Sequence, residues 1–343
     1  MMKQKLLLGE RIIYIATRLF NIYDKMSGNS LEQKVYKILS DCISESGDVL
    51  EKYPLYLPFR DTNEDQLLGR NDAFQIIYDA DINRLEHLYS LIAYLDDPTK
   101  DDGICMEIGY AYANSVPIVL LSSDIQYYRI NRKFAYHSDP IIHKMVSEYI
   151  YAPEIPESKY KISSDCDNME LVADNILRRL TAVIRKLYYE YESCVPSKII
   201  SELPRRKVCI DIMGGKYEWS RIIESKIVNE LERSMITCYS TERFVTNNED
   251  ILLRGENDIK KLLASDILVV CADGTETDAG GAALIGMAKK YGKVIIIYYS
   301  APCDIVEGES SCLRNLMIEL SAHDVCKTYD EVVLTVKKYC EKY

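Results

Sequence analysis

The sequence predicts an α/β protein: two tandem doubly wound parallel-sheet domains joined by a helical linker. Three observations carry this prediction. Short apolar strands alternate with amphipathic helices through the first 150 residues. A proline-broken stretch and one long amphipathic helix then interrupt the alternation. After them the alternation restarts, and small and acidic residues of the first half recur in the second at one fixed offset.

The first strand is Ile12-Ile13-Tyr14-Ile15-Ala16, which enters a loop through Thr17, Arg18, Leu19 and Phe20. Ser30 and Gln33 have the spacing of a capping box. Beyond them Leu31, Val35, Ile38, Leu39, Cys42 and Ile43 recur at helical spacing. Tyr56 to Phe59 reads as a short strand, and 71–88 as a helix with Phe74, Ile77, Tyr78, Leu85 and Leu88 on one stripe. Leu91 to Leu95 is the third strand, 104–114 a helix, and Val116 to Leu121 the fourth strand. Pro153 and Pro156 break the pattern before a long helix at 168–192, and Pro196 and Pro204 mark the boundary that follows. The second half repeats the scheme with strands at 208–213, 236–239, 267–271 and 294–298 and helices at 219–231, 258–264 and 282–291. The expected domains are therefore 11–150, a helical linker at 151–205, and 206–343, each sheet domain flavodoxin- or Rossmann-like.

Asp81, Asp101, Gly103, Gly109 and Ala111 map without a gap onto Asp258, Asp278, Gly280, Gly286 and Ala288. Glu107 maps onto Leu284. That single replacement separates the two copies chemically.

Composition narrows the function classes. A length of 343 residues suits two domains, and 48% hydrophobic with 28% charged residues excludes wholesale disorder. The net charge of −11 argues against nucleic acid and anionic membranes as partners. Eleven cysteines, an odd number with no CxxC pair, read as reduced core thiols of a cytoplasmic protein with no secretory segment. No apolar run approaches the ~20 residues of a membrane span. The four histidines lack cysteines at ligand spacing, so neither a metal nor another cofactor is expected.

The candidate chemistry lies in the first copy. Asp81 stands four residues from both Ile77 and Leu85, on the apolar stripe of its helix. A carboxylate there must be paired, hydrogen-bonded or at a cavity edge; capping a nearby group is the plainer alternative. The run Asp101 to Ala111 follows a strand and opens a helix, and ligands of open α/β sheets sit beyond the carboxyl ends of the strands. Glu107 is expected in the first turn or so, where the helix dipole favours an ionised carboxylate; a surface glutamate at a helix start is the competing reading. Gly103 is expected to permit an awkward turn and Gly109 to let the helix pack closely on the sheet. Tyr14, placed at the end of the first strand, can orient the glutamate, or it is one more core tyrosine among 27. An ionised nucleophile without a metal cluster fits glycosyl transfer. The carboxylate attacks an anomeric carbon, the departing group is protonated, and an acceptor displaces the enzyme from the same face. Asp81 would manage the proton if burial raises its pKa, and Asp101 would hold sugar hydroxyls.

The first half, residues 11–150, resembles the nucleoside 2-deoxyribosyltransferases. The resemblance rests on Ile13-Tyr14 with Phe20, Leu57-Pro58, Asp81-Ile82-Asn83, the core Asp101-x-Gly-x-x-x-Glu107-x-Gly-Tyr-Ala, Ile130-Asn131 and Ser138-Asp139. It implies that Glu107 forms a deoxyribosyl-enzyme intermediate, that Tyr14 positions it, and that Asp81 sits on the nucleobase side. It further implies that Asp101 and Asn131 bind the sugar, within a substrate-binding set that includes Phe20, Gly103 and Arg18. A carboxylate at 101 repels phosphate, where relatives acting on monophosphates carry a small hydroxyl residue and arginines. Free nucleosides and free nucleobases are thus the expected partners, with Arg18 leaving a 5′-phosphate open. No counterpart of the family's purine-contacting glutamine stands near Arg60-Asp61-Thr62, so base preference is open. A hydrolase using the same glutamate on nucleosides, nucleoside monophosphates or NAD, and a nucleotide sensor, are the competing functions. The family is oligomeric with sites completed by a neighbour. The chain is therefore expected either to form a homo-oligomer or to use its silent second copy as an intramolecular pseudodimer partner, or as a regulatory nucleotide site.

Overall fold

The structure is a computed structural model that describes residues 11–19, 21–49, 53–62, 67, 69–96, 100–123, 128–130, 134–136, 139–151, 165–245, 250–274, 276–300 and 315–342. The chain forms two compact units. The first takes the described residues of 1–98, 114–126 and 146–196, and the second those of 99–113, 127–145 and 197–343.

The first unit holds a five-stranded parallel sheet. Its strands are β1 (Ile12–Ala16), β2 (Leu55–Tyr56), β3 (Leu88–Tyr94), β4 (Ile118–Ser122) and β7 (Glu148–Tyr151), in the order β2-β1-β3-β4-β7. Strand alternation splits β1 between two faces. Ile13 and Ile15 join a core with Ile92, Val119 and Ile150 that is covered by α1 (Ile22–Ser46) and α6 (Asp165–Tyr189). Val35, Leu39 and Cys42 come from α1, and Leu180, Ile184 and Leu187 from α6, so the helix expected as a linker packs on this sheet. Tyr14 points to the opposite face, toward α3 (Ala73–Glu86). The remaining helices here are α2 (Pro58–Asp61) and α7 (Tyr191–Cys194).

The second unit contains a second five-stranded parallel sheet: β8 (Arg206–Asp211), β9 (Cys238–Ser240), β10 (Ser265–Cys271), β11 (Val294–Tyr298) and β12 (Asp324–Cys326). Read from β9 the order is β9-β8-β10-β11-β12. Both sheets thus share the 2-1-3-4-5 order of flavodoxin-like doubly wound folds. One face carries α8 (Glu218–Arg233) and α12 (Tyr329–Lys342), through Ile227, Leu231, Val332 and Val336. The unit also contains α9 (Ile251–Leu263), α10 (Ala279–Lys290) and α11 (Leu316–Glu319). It further includes α4 (Asp102–Ala113), α5 (Pro140–Met145) and the antiparallel pair β5 (Tyr128–Ile130) and β6 (Phe134–Tyr136). Every residue of α4 is buried, consistent with a helix that apart from Asp102 and Glu107 is built of small, apolar and aromatic residues.

Several boundaries differ from expectation for identifiable reasons. Helix α1 starts at Ile22 because Asn21 caps it, its Oδ1 accepting from Asp24 N at 2.9 Å. Ser30 and Gln33 therefore lie inside the helix, and the capping-box reading is overturned. Strand β2 stops at Tyr56: Pro58 lacks an N–H for a ladder and sits at the first position of α2. Leu88, expected on a helix, opens β3 and pairs with Ile12. Strands β7 and β12, together with α11 and α12, had no sequence prediction; Glu148-Tyr149-Ile150-Tyr151 is too short and polar to stand out. Among the described residues no helix is long and apolar enough to cross a membrane. The described cysteines are free thiols, seven of them buried. Burial pushes the Cys42, Cys105 and Cys209 thiols up, which keeps them protonated and inert.

Candidate active site

In the first unit, two tyrosines and an aspartate form one buried group. Tyr14 lies in the middle of β1 and not at its end, as expected from the sequence, and is fully buried. Its ring contacts the ring of Tyr56 on β2, centroids 5.1 Å apart. The Tyr56 hydroxyl donates to Asp81 Oδ1 at 2.8 Å. Burial, and then the Asp81 carboxylate, push the Tyr56 hydroxyl far up, so it remains a donor throughout the working pH range. The Arg84 guanidinium lies 5.4 Å from the Tyr56 ring. Asp81 is buried on α3, as its place on the apolar stripe predicted, and its burial is compensated by hydrogen bonding. Arg18 follows β1 in the loop and is half-buried.

In the second unit, α4 carries the remaining described candidates. Asp101 precedes it and is buried; its Oδ1 accepts from Ile104 N at 2.9 Å, so it caps the helix. Asp278 does the same for α10, accepting from Gly281 N at 3.4 Å. The recurrence of this aspartate in both copies therefore has a structural cause. Glu107 is 6% exposed on α4. Because α4 begins at Asp102, Glu107 falls in its second turn. The helix dipole acts mainly on the first turn, so that argument for its ionisation loses most of its weight.

Gly103 and Gly109 serve close approach. Gly103 lies within the first turn of α4 with no positive φ. A Cβ at 103 would lie 2.5 Å from Asn315 Nδ2. A Cβ at Gly109 would lie 1.9 Å from the carbonyl oxygen of Ala283 on α10. Both expectations are thereby corrected: no awkward turn is needed at 103, and the tight packing at 109 is against a helix and not the sheet. Beside Gly103, Asp102 N donates to Glu276 Oε2 at 3.2 Å, and Thr277 N donates to Asp102 Oδ2 at 2.9 Å.

Phe20 and Asn131 lie outside the described residues. Three neighbours of the candidates were not foreseen. Tyr56 was readable as a strand residue facing the same side as Tyr14. Asn315 was readable as a helix cap before Leu316. Glu276 carried no sequence signal beyond its place in a Gly-rich loop. A cavity of about 410 Å³ in the first unit lies between α1 and α6, lined by Tyr23, Met26, Leu31, Tyr94, Ile176 and Leu180. None of the described candidate residues lines it. Among the described residues there is no cluster of three or more His, Cys, Asp or Glu that would hold a metal ion.

A conserved protein from Enterococcus faecalis V583 of known structure is similar at 17% identity over 39% of this chain and 99% of its own, with a TM-score of 0.31. No curated protein matches the chain. Residues 13–174 match the model of the Nucleoside 2-deoxyribosyltransferase family.

Proposed function

We propose that the first copy exchanges nucleobases on 2′-deoxyribonucleosides through a covalent deoxyribosyl-glutamate intermediate. The match of residues 13–174 to the family carries this reading. It is supported by a buried carboxylate, Glu107, on a buried helix whose other charged residue is Asp102 in the first turn. Burial strips water from a nucleophile and strengthens its attack on an electrophilic carbon.

In the first step the Glu107 carboxylate bonds to C1′ and the N-glycosidic bond breaks, its electron pair leaving with the base. A proton supplied on the base side, the role assigned to Asp81, neutralises the departing nitrogen. In the second step an incoming base attacks C1′, the ester bond to Glu107 breaks, and the incoming nitrogen gives its proton to the Asp81 carboxylate, which restores the acid used in the first step. Two displacements retain the configuration at C1′. Tyr14 orients the glutamate, while Asp101 and Asn131 bind sugar hydroxyls. Asn315, against Gly103, is a second-copy residue suited to the same task. On this basis the second copy stands in for a partner subunit.

The test mixes purified protein with deoxyinosine and free adenine and separates the products chromatographically, with Glu107→Ala as control. Deoxyadenosine that depends on Glu107 is the expected product. Hypoxanthine without deoxyadenosine identifies water as the acceptor, and silence toward both contradicts glycosyl transfer on nucleosides.

A further inference from the structure

The second copy keeps the two aspartates that correspond to Asp81 and Asp101, which raises the question of what they hold. Sheet register defines the equivalences. Tyr14 pairs with Tyr56 and Leu91, and Cys209 pairs with Tyr239 and Leu268. The offset that carries Asp81 onto Asp258 also carries Leu91 onto Leu268. Cys209 is therefore the counterpart of Tyr14, Tyr239 of Tyr56 and, four residues further on, Arg243 of Arg60.

The two arginines have different fates. Arg60 is about one third exposed and pairs with Glu32 and Asp61, each at 2.7 Å. Arg243 is fully buried. Its Nε donates to Asp139 Oδ2 at 2.9 Å and its Nη1 to Asp211 Oδ1 at 2.7 Å. Its Nη2 pairs with Asp278, and Asp258 Oδ2 lies 3.8 Å from Nη1. The backbone N–H of Arg243 also donates to Asp258, at 2.9 Å. Space for the side chain comes from glycines. A Cβ at Gly214 would lie 2.7 Å from Arg243 Cγ, and one at Gly280, the counterpart of Gly103, would lie 2.6 Å from Nε.

We propose that Arg243 is the built-in occupant of the second copy's site: its guanidinium fills the space between Asp258 and Asp278 that a sugar would need, so the chain carries one nucleoside site and not two. The guanidinium fork suits this position because it is always charged and can donate in several directions to carboxylates. Lys261, 3.2 Å from Asp258 Oδ1, adds a second cation beside the four carboxylates. Leu284 and Cys209, where the first copy has Glu107 and Tyr14, are fully buried and supply no polar contact to a sugar in this copy.

Arg243→Ala leaves the carboxylates facing an unfilled cavity. Its melting temperature is expected to fall by on the order of 10 °C. Millimolar methylguanidinium, which fits the vacated space, is expected to restore several degrees of that loss where equal potassium chloride does not. An unchanged melting temperature, or equal effects of the two salts, overturns the proposal. If Arg243→Ala does not fold, Arg243→Lys keeps one cation without the fork; a melting temperature equal to wild type is then the contradicting result. For the wild-type chain, equilibrium dialysis with deoxyinosine is expected to give one bound nucleoside per chain. Two per chain, with one lost in Asp258→Asn, overturns the plug. The proposal rests on the glycosyl-transfer reading only for this probe: failure to bind any nucleoside counts against that reading, whereas the methylguanidinium experiment decides the plug alone.

Discussion

Gly109 on α4 and Gly286 on α10 are reciprocal contact points. A Cβ at 109 would lie 1.9 Å from the carbonyl oxygen of Ala283, and a Cβ at 286 would lie 1.9 Å from that of Met106. The offset that relates Gly109 to Gly286 also relates Met106 to Ala283, so the contact maps onto itself when the copies are exchanged. This is the signature of an isologous interface, here inside one polypeptide. A second reciprocal pair extends it. Asn315 caps α11 and lies against Gly103, while Asp139 caps α5 and lies against Gly280. Helix-on-helix approach thus explains Gly109 and Gly286, and the approach of polar side chains explains Gly103 and Gly280.

Gly109→Ala and Gly286→Ala each force the two helices apart at a backbone carbonyl. Each is expected to cost about 2–3 kcal/mol in denaturant unfolding. Because the separation that accommodates one methyl also makes room for the other, the double variant is expected to lose less than the sum. Full additivity contradicts a shared interface.

Tyr56→Phe removes a buried donor from Asp81 and nothing else. A loss of about 1.5–3 kcal/mol is expected, the range for a hydrogen bond to a charged group. Urea titration of the variant measures it, and a loss below about 0.5 kcal/mol would mean that the Tyr56–Asp81 bond does not help carry the buried carboxylate.

Stability should fall as pH rises through the neutral range. Burial, and then Asp102 and Asp101, push the Glu276 carboxyl up to about 8, and burial pushes Glu224 up to about 7. The folded chain therefore keeps protons that the unfolded chain releases above its ordinary carboxylate range. That contribution is complete below about pH 4.5 and is lost as pH rises toward 8. Glu276→Gln removes one of the two groups, so its melting temperature should vary less between about pH 5 and 8 than that of wild type. An identical pH slope contradicts the assignment.

Much of this was legible in the sequence. Alternating strands and helices foretold both sheets, and the gapless mapping of Asp81 to Ala111 onto Asp258 to Ala288 foretold that they share one strand order. Asp81 was foretold as a buried, compensated carboxylate by its two apolar neighbours at four-residue spacing. What could not be read was which partner each small residue meets. Gly109 looked the same whether a sheet or a helix lay against it, because a glycine reports only that something comes close. The Arg243 cluster was hidden for a different reason. Its aspartates come from four separate places in the chain, and no local pattern links Asp139 to Asp211 or Asp278. Helix starts failed where two caps competed, as at Asn21 and Ser30.

The central claim is that Glu107 becomes covalently bonded to the sugar. The most direct measurement incubates the protein with deoxyinosine and no acceptor, quenches with acid, and weighs the intact chain and its peptides by mass spectrometry. The account predicts a gain of one deoxyribosyl group on the peptide that contains Glu107, absent in Glu107→Gln. Base release with no adduct, or an adduct that persists in Glu107→Gln, would contradict it.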